Sequence, residues 1–265
     1  MQKRAVSLLL LAGMTFSLPF SAIAAPAPAA KTASNPAIQA IHKLQKIETV
    51  TYRVATDFYL YNVLNRDPGQ LRKMQAQLAE GDALIAGTGN AALQLKWNEF
   101  KRACTTAKFT AENVADNDSI NAVDSTLNIL TSSIRANITE QRATGAIVVD
   151  KMADMLYDEY VTMQLMTSAY LRKSADYFGG AVVASQSGAV EIDKLAAKFG
   201  TQLDQLNRYY AKNPKVAPLL KEVTTRWVFV RGSFINYNQN NVPFVIGRSN
   251  EIITDKLMAA YSTLL

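Results

Sequence analysis

The sequence predicts an all-α fold, built as two up-down four-helix bundles stacked end to end and related by internal duplication. Three observations predict it. Apolar residues recur at helical spacing along most of the chain, and the alternation of half-buried strands is nearly absent. No proline occurs between Pro68 and Pro214, and glycine is sparse in that stretch. A half-length repeat relates residues 37–59 to residues 148–170 at a constant offset of 111.

Both copies carry an apolar row with the same flaw. The first row is Ala37, Ile41, Leu44, Tyr52, Ala55 and Tyr59, and the second is Val148, Met152, Met155, Met163, Met166 and Tyr170. Each row misses one beat, at Glu48 and at Glu159. A carboxylate in a buried stripe is costly unless it is paired. Identities at Val50/Val161, Thr51/Thr162, Thr56/Thr167, Tyr59/Tyr170 and Leu60/Leu171 support the alignment, as do breakers at Pro68-Gly69 and Gly179-Gly180. The closing parts of each half align at an offset of 130, with Trp97 on Trp227, Leu127 on Leu257 and Ser132 on Ser262. The second copy then needs insertions, and residues 181–194 are an obvious place for some of them.

The elements follow in order. Met1-Gln2-Lys3-Arg4, the apolar run Ala5–Ala24 and the small residues Ala22 and Ala24 have the layout of a secretory signal cut after Ala24. A retained membrane anchor is the rival reading. Residues 25–36 are Pro/Ala/Ser-rich and read as a flexible leader. Helices are expected near 37–66, 69–87, 90–106, 117–137, 140–176, 191–211, 214–236 and 243–263. Asp118 or Ser119 is placed to cap the fourth, and Asn213 the seventh, with Pro214 in its first turn. The short polar links imply antiparallel neighbours, four to a bundle, in domains 37–137 and 138–265. The join near Asn137–Gln141 lacks Gly and Pro, so the fourth helix is expected to run on into the fifth and form a rod.

Loss of Lys3 and Arg4 with the signal would lower the net charge from +6 to +4. No Lys/Arg run marks a nucleic-acid partner, and export argues against one. Cys104, the lone cysteine, excludes an internal disulfide and reads as a small buried residue, with a thiol pairing to a second chain as the alternative. His42, the lone histidine, reads as a boundary residue, and one His with one Cys cannot build a typical zinc site. Asp116-Asn117-Asp118 lacks the Gly and distal Glu of a calcium loop. No serine sits in a nucleophile elbow, so neither a catalytic set nor a cofactor or metal is expected. Most aromatic residues, among them Phe229, Tyr237 and Phe244, and the methionines at 152, 155, 163 and 166 read as core.

Arg53, Phe58-Tyr59-Leu60, Asp67-Pro68 and the second-copy run Met166–Leu171 carry a resemblance. Residues 49–86 resemble the opening of the type IV pilus methyl-accepting chemotaxis transducer N-terminal family, the PilJ/NarX-like sensor domains. The resemblance implies periplasmic four-helix bundles in tandem, a small-molecule ligand and an inner-membrane receptor or pilus-associated partner. Two departures stand out. The family's first arginine, which holds the anion in nitrate sensors, is replaced by Glu48 and Glu159, and Gln164 replaces the later arginine matched by Arg53. The family's second membrane span and signalling helices have no counterpart in the sequence. Glu48, Arg53, Glu159 and Gln164 are the candidate ligand residues. The glutamates read either as structural ion pairs, with Arg53, Lys101, Arg102, Arg226 or Arg231, or as carboxylates for an amine-bearing ligand. The two functions weighed are a sensor-like ligand-binding module and a structural or adaptor protein of the envelope.

Overall fold

The computed structural model describes residues 36–145, 150–179, 191–237 and 241–264. The expected signal at 1–24, the expected leader up to residue 35, Val148 of the second apolar row, Gly180 of the second breaker and the expected insertion site at 181–190 lie outside the described residues. The described chain is all-helical, in the order α1 (Pro36–Val63), α2 (Pro68–Ala86), α3 (Ala91–Thr105), α4 (Asn117–Thr144), α5 (Lys151–Gly179), α6 (Ile192–Tyr209), α7 (Ala217–Ile235) and α8 (Pro243–Ser262). No described helix is long and apolar enough to cross a membrane.

Local chemistry sets the ends. Asn65 and Arg66 take left-handed φ of 53° and 62° after α1. Asp67 then caps α2 through Gly69 N, with Pro68 in the first turn. The cap of α4 is Asp116, ahead of the expected Asp118 or Ser119: its carboxylate accepts from Ser119 N at 2.8 Å. Asn213 does not start α7 either. It accepts from Lys215 N and Val216 N in a preceding turn, and α7 begins at Ala217 with Pro218 in its first turn.

The expected rod is not what forms. α4 stays periodic through the buried Ile134 and Ile138 and stops at Thr144, seven residues beyond the expected end at 137. α5 then runs back along it. Arg142 binds Asp154 at 2.5 Å, and Arg172 meets Asp124 at 3.5 Å, contacts that a straight continuation would separate. All described helices share one compact unit and one continuous core.

Two helices form its centre. α1 buries Ile47, Glu48, Val50, Thr51, Tyr52, Val54 and Ala55, so every side of the helix is covered. α5 does the same with Leu156, Tyr157, Glu159, Tyr160, Val161, Thr162 and Met163. Both run antiparallel to α8: Gln45 meets Tyr261 and Arg53 meets Asp255, while Gln164 meets Asn250 and Ser174 meets Asn241. α1 and α5 are therefore parallel neighbours. α1 packs on α2 and α4, and α3 on α4; α5 packs on α6 and α8, and α7 on α8. The outer helices bury one face only, as in Leu93, Trp97, Phe100 and Cys104 of α3 and Val223, Trp227, Val230 and Phe234 of α7. Phe229 and Phe244 are exposed, contrary to the core reading, and Tyr237 is half-buried beneath the Lys173 ammonium.

Each tryptophan leans on a glycine of the helix before it. A Cβ on Gly81 would stand 2.1 Å from the Trp97 ring, whereas one on Gly200 would stand 3.4 Å from the Trp227 indole nitrogen. Trp97 is also fully buried and tied to Asp82, 2.8 Å away. Gly81→Ala is expected to destabilise by about 1–3 kcal/mol through overpacking. Gly200→Ala should be neutral or stabilising by up to about 1 kcal/mol through helix propensity. Urea unfolding of the two variants checks the opposite signs.

Candidate functional site

The two glutamates that break the apolar rows are both fully buried, but in different company. Glu48 receives Arg135 Nε at 2.6 Å on one oxygen and the Tyr157 hydroxyl on the other. Arg135 Nη2 also donates to the Tyr52 hydroxyl at 2.8 Å. Burial and the Glu48 carboxylate hold the Tyr157 hydroxyl protonated, its pKa well above the ordinary value. The ion pair anticipated for Glu48 thus forms, with α4 supplying a cation absent from the expected set. Arg53 is engaged elsewhere, by Asp255.

Glu159 has no such clamp. Neither of its carboxylate oxygens finds a hydrogen-bond partner among the described residues. Burial raises its pKa to about 9, with Lys198 pulling the other way and Asp158 adding to the rise. The carboxyl is therefore protonated at neutral pH. At the sequence offsets of 111 and 130, the positions aligned with Tyr52 and Arg135 hold Met163 and Leu265, neither of which carries a hydrogen-bonding side chain of that kind. The two glutamates lie on adjacent helices, because Tyr157 and Glu159 share α5, whereas end-to-end stacking would have set them nanometres apart.

Neither glutamate lines the cavity formed by α1, α2 and α8. The cavity lies farther along α1, where Arg53, Thr56 and Asp57 face Lys73 and Gln77 of α2 and the Arg248–Asp255 turns of α8. Its volume is about 370 Å³, within the range for a small ligand. The cations on its wall are already paired: Arg53 with Asp255 at 2.6 Å, Lys73 with Glu251 at 2.9 Å, and Arg248 with Glu251 at 2.5 Å. Asp57 is not. It is 6 % exposed and makes no hydrogen bond or ion pair among the described residues. Burial pushes it up to about 7, against the pull of Lys73 and Arg53 and with the help of Glu251. Thr56 Oγ1, Gln77 Oε1 and Asn250 Oδ1, all on lining residues, are also buried without partners.

Of the four candidates, the structure places Arg53 in this wall and Gln164 behind it. The Gln164 amide donates to Tyr160 and accepts from Asn250 Nδ2 at 3.0 Å, so it holds a lining residue. Glu48 and Glu159 stand outside. Asp57, Lys73, Gln77, Arg248 and Glu251 escaped the sequence reading. The available signal was the row Val50, Val54, Asp57, Tyr61, a second apolar face of α1 broken by a carboxylate. His42 is half-buried against Tyr261, with its pKa lowered by burial, and Cys104 is buried with its thiol pushed up by burial.

Searches against protein-family models, curated proteins and solved structures gave no match to this chain.

Proposed function

We propose that the protein is an exported, sensor-like helical module that binds a small ligand in the α1–α2–α8 cavity and presents the bound state to a membrane partner. The observation that carries this reading is Asp57, a buried carboxyl without a partner on the wall of an open cavity. A buried polar group left unsatisfied costs about 1–3 kcal/mol. A carboxyl that faces a cavity without a protein partner is matched to a ligand that would pair with it. The resemblance of residues 49–86 to PilJ/NarX-like sensor domains points the same way. The chain is read as a binding module rather than an enzyme, without cofactor and without nucleic acid as a partner. A thermal-shift screen against small metabolites tests the reading. A ligand at about 100 times its Kd stabilises by about 2.7 kcal/mol. No shift with any metabolite would overturn it.

Export rests on the signal layout of residues 1–24, and the secreted chain is expected to begin at Ala25. N-terminal sequencing that returned Met1 would reverse this to a membrane-anchored protein. Duplication of a four-helix unit accounts for the matched pairings of the two halves. It also accounts for the buried sets Val123, Leu127 and Leu130 against Ile253, Leu257 and Ala260, which keep the offset of 130. A second reading, an envelope adaptor with no small ligand, is favoured by one observation. Val228, Phe229 and Ile235 expose an apolar face on α7.

A further inference from the structure

Resting on the ligand-binding reading, we propose that the occupant of the α1–α2–α8 cavity carries a protonated amine, seated on the Asp57 carboxylate. Among the described residues, Asp57 is the carboxylate on the wall without a protein hydrogen bond or ion pair. Behind the wall, Gln77 Oε1 and Asn250 Oδ1, which can only accept, and Thr56 Oγ1, which can do either, are buried without partners. Asn250 already donates its amide N–H to Gln164, which fixes its oxygen as the open atom.

The cations do not offer the converse site. Arg53 is held by Asp255, and Lys73 and Arg248 both converge on Glu251. An anionic ligand would have to break those pairs and then lie against Asp57. A neutral polyol could donate hydrogen bonds, but it brings no charge to pair with the Asp57 carboxylate. An ammonium group brings up to three N–H donors and a positive charge, and it meets a carboxylate.

The second half of the chain marks Asp57 as the specific part. Thr56 matches Thr167, whose hydroxyl is likewise buried without a partner, but the position matching Asp57 is Ser168. The acid is thus present in the half that holds the cavity and absent at the aligned position of the other.

Protons compete for the same seat. The groups around Asp57 are Arg53 on its own helix, Lys73 on α2, and Arg248, Glu251 and Asp255 on α8. Burial, opposed by Lys73 and Arg53 and aided by Glu251, pushes the carboxyl up to about 7. Between about pH 8 and pH 6 its ionised fraction falls about tenfold, and amine affinity should fall with it.

The test is calorimetric titration of the purified protein and of Asp57→Asn. Ethanolamine, putrescine and agmatine serve as amines, acetate and nitrate as anions, and glycerol and glucose as neutral probes. At least one amine is expected to bind at pH 8, about tenfold more weakly at pH 6, and not measurably to Asp57→Asn. The variant exchanges a buried acid for a neutral amide and should fold, which its melting curve checks. Binding of only anions or neutral probes, or amine binding that survives in Asp57→Asn, overturns the amine assignment and leaves the cavity a ligand site. No binding by any probe overturns the amine assignment and the ligand-binding reading together.

Discussion

Arg135→Met is expected to lower the stability of the fold by about 3–5 kcal/mol at neutral pH, a large share of the total for a domain. The reason is an asymmetry inside the ion pair. The Glu48 side chain is 0 % exposed, whereas that of Arg135 is 42 % exposed. Removing the cation strands a carboxylate that water cannot reach, with the Tyr157 hydroxyl as its remaining donor. Removing the carboxylate strands a guanidinium that can turn toward solvent. Glu48→Gln should therefore cost less, about 1–2 kcal/mol, chiefly through the lost charge-assisted hydrogen bonds. The double variant Glu48→Leu/Arg135→Met should recover most of the loss, because an apolar pair of similar volume is often neutral in a buried position. Urea unfolding of the three variants measures these differences. A loss below about 1 kcal/mol for Arg135→Met would show that Glu48 is not held as a buried anion.

The same residues mark where the sequence is readable. The eight helices follow from 3.6-residue periodicity, and a break in that periodicity located both buried glutamates. Such signals are local, and each helix carries its own. What the periodicity did not carry was the partner and the arrangement. Arg135 lies 87 residues from Glu48 in the chain, on the half-exposed flank of α4, and nothing local distinguishes it from Arg102 or Arg142. The end-to-end reading failed for a related reason. One apolar row on α1 is compatible with end-to-end stacking, but Ile47, Val50 and Val54, with Asp57 as its flaw, form a second one. A helix apolar on all sides must be surrounded, and two such helices of nearly equal length can cover one side of each other. That would have placed α1 against α5. It would also have exposed Asp57 as a carboxylate in an apolar row, the same kind of flaw as Glu48.

Glu159→Gln is expected to stabilise the protein, by an amount that grows with pH. The folded-state pKa of Glu159 is raised to about 9, against an ordinary value of 4.5. A carboxyl raised in this way binds its proton more tightly in the folded state. Its contribution is fully present below the unfolded-state value and is lost as pH rises toward the folded-state one. Each pH unit in that window costs about 1.4 kcal/mol. Wild type and Glu159→Gln should therefore have similar stability near about pH 4.5 and differ on the order of 3 kcal/mol by about pH 7, the variant being the more stable. Glutamine is close in volume and cannot ionise, so Asp57 and every other titrating group cancels in the difference. Urea unfolding of both proteins across this range gives two curves that diverge on the alkaline side. Parallel curves would mean that Glu159 has a cation or water at hand when folded. In that case the second half would hold its carboxylate as the first half does, with Lys198 in the place of Arg135.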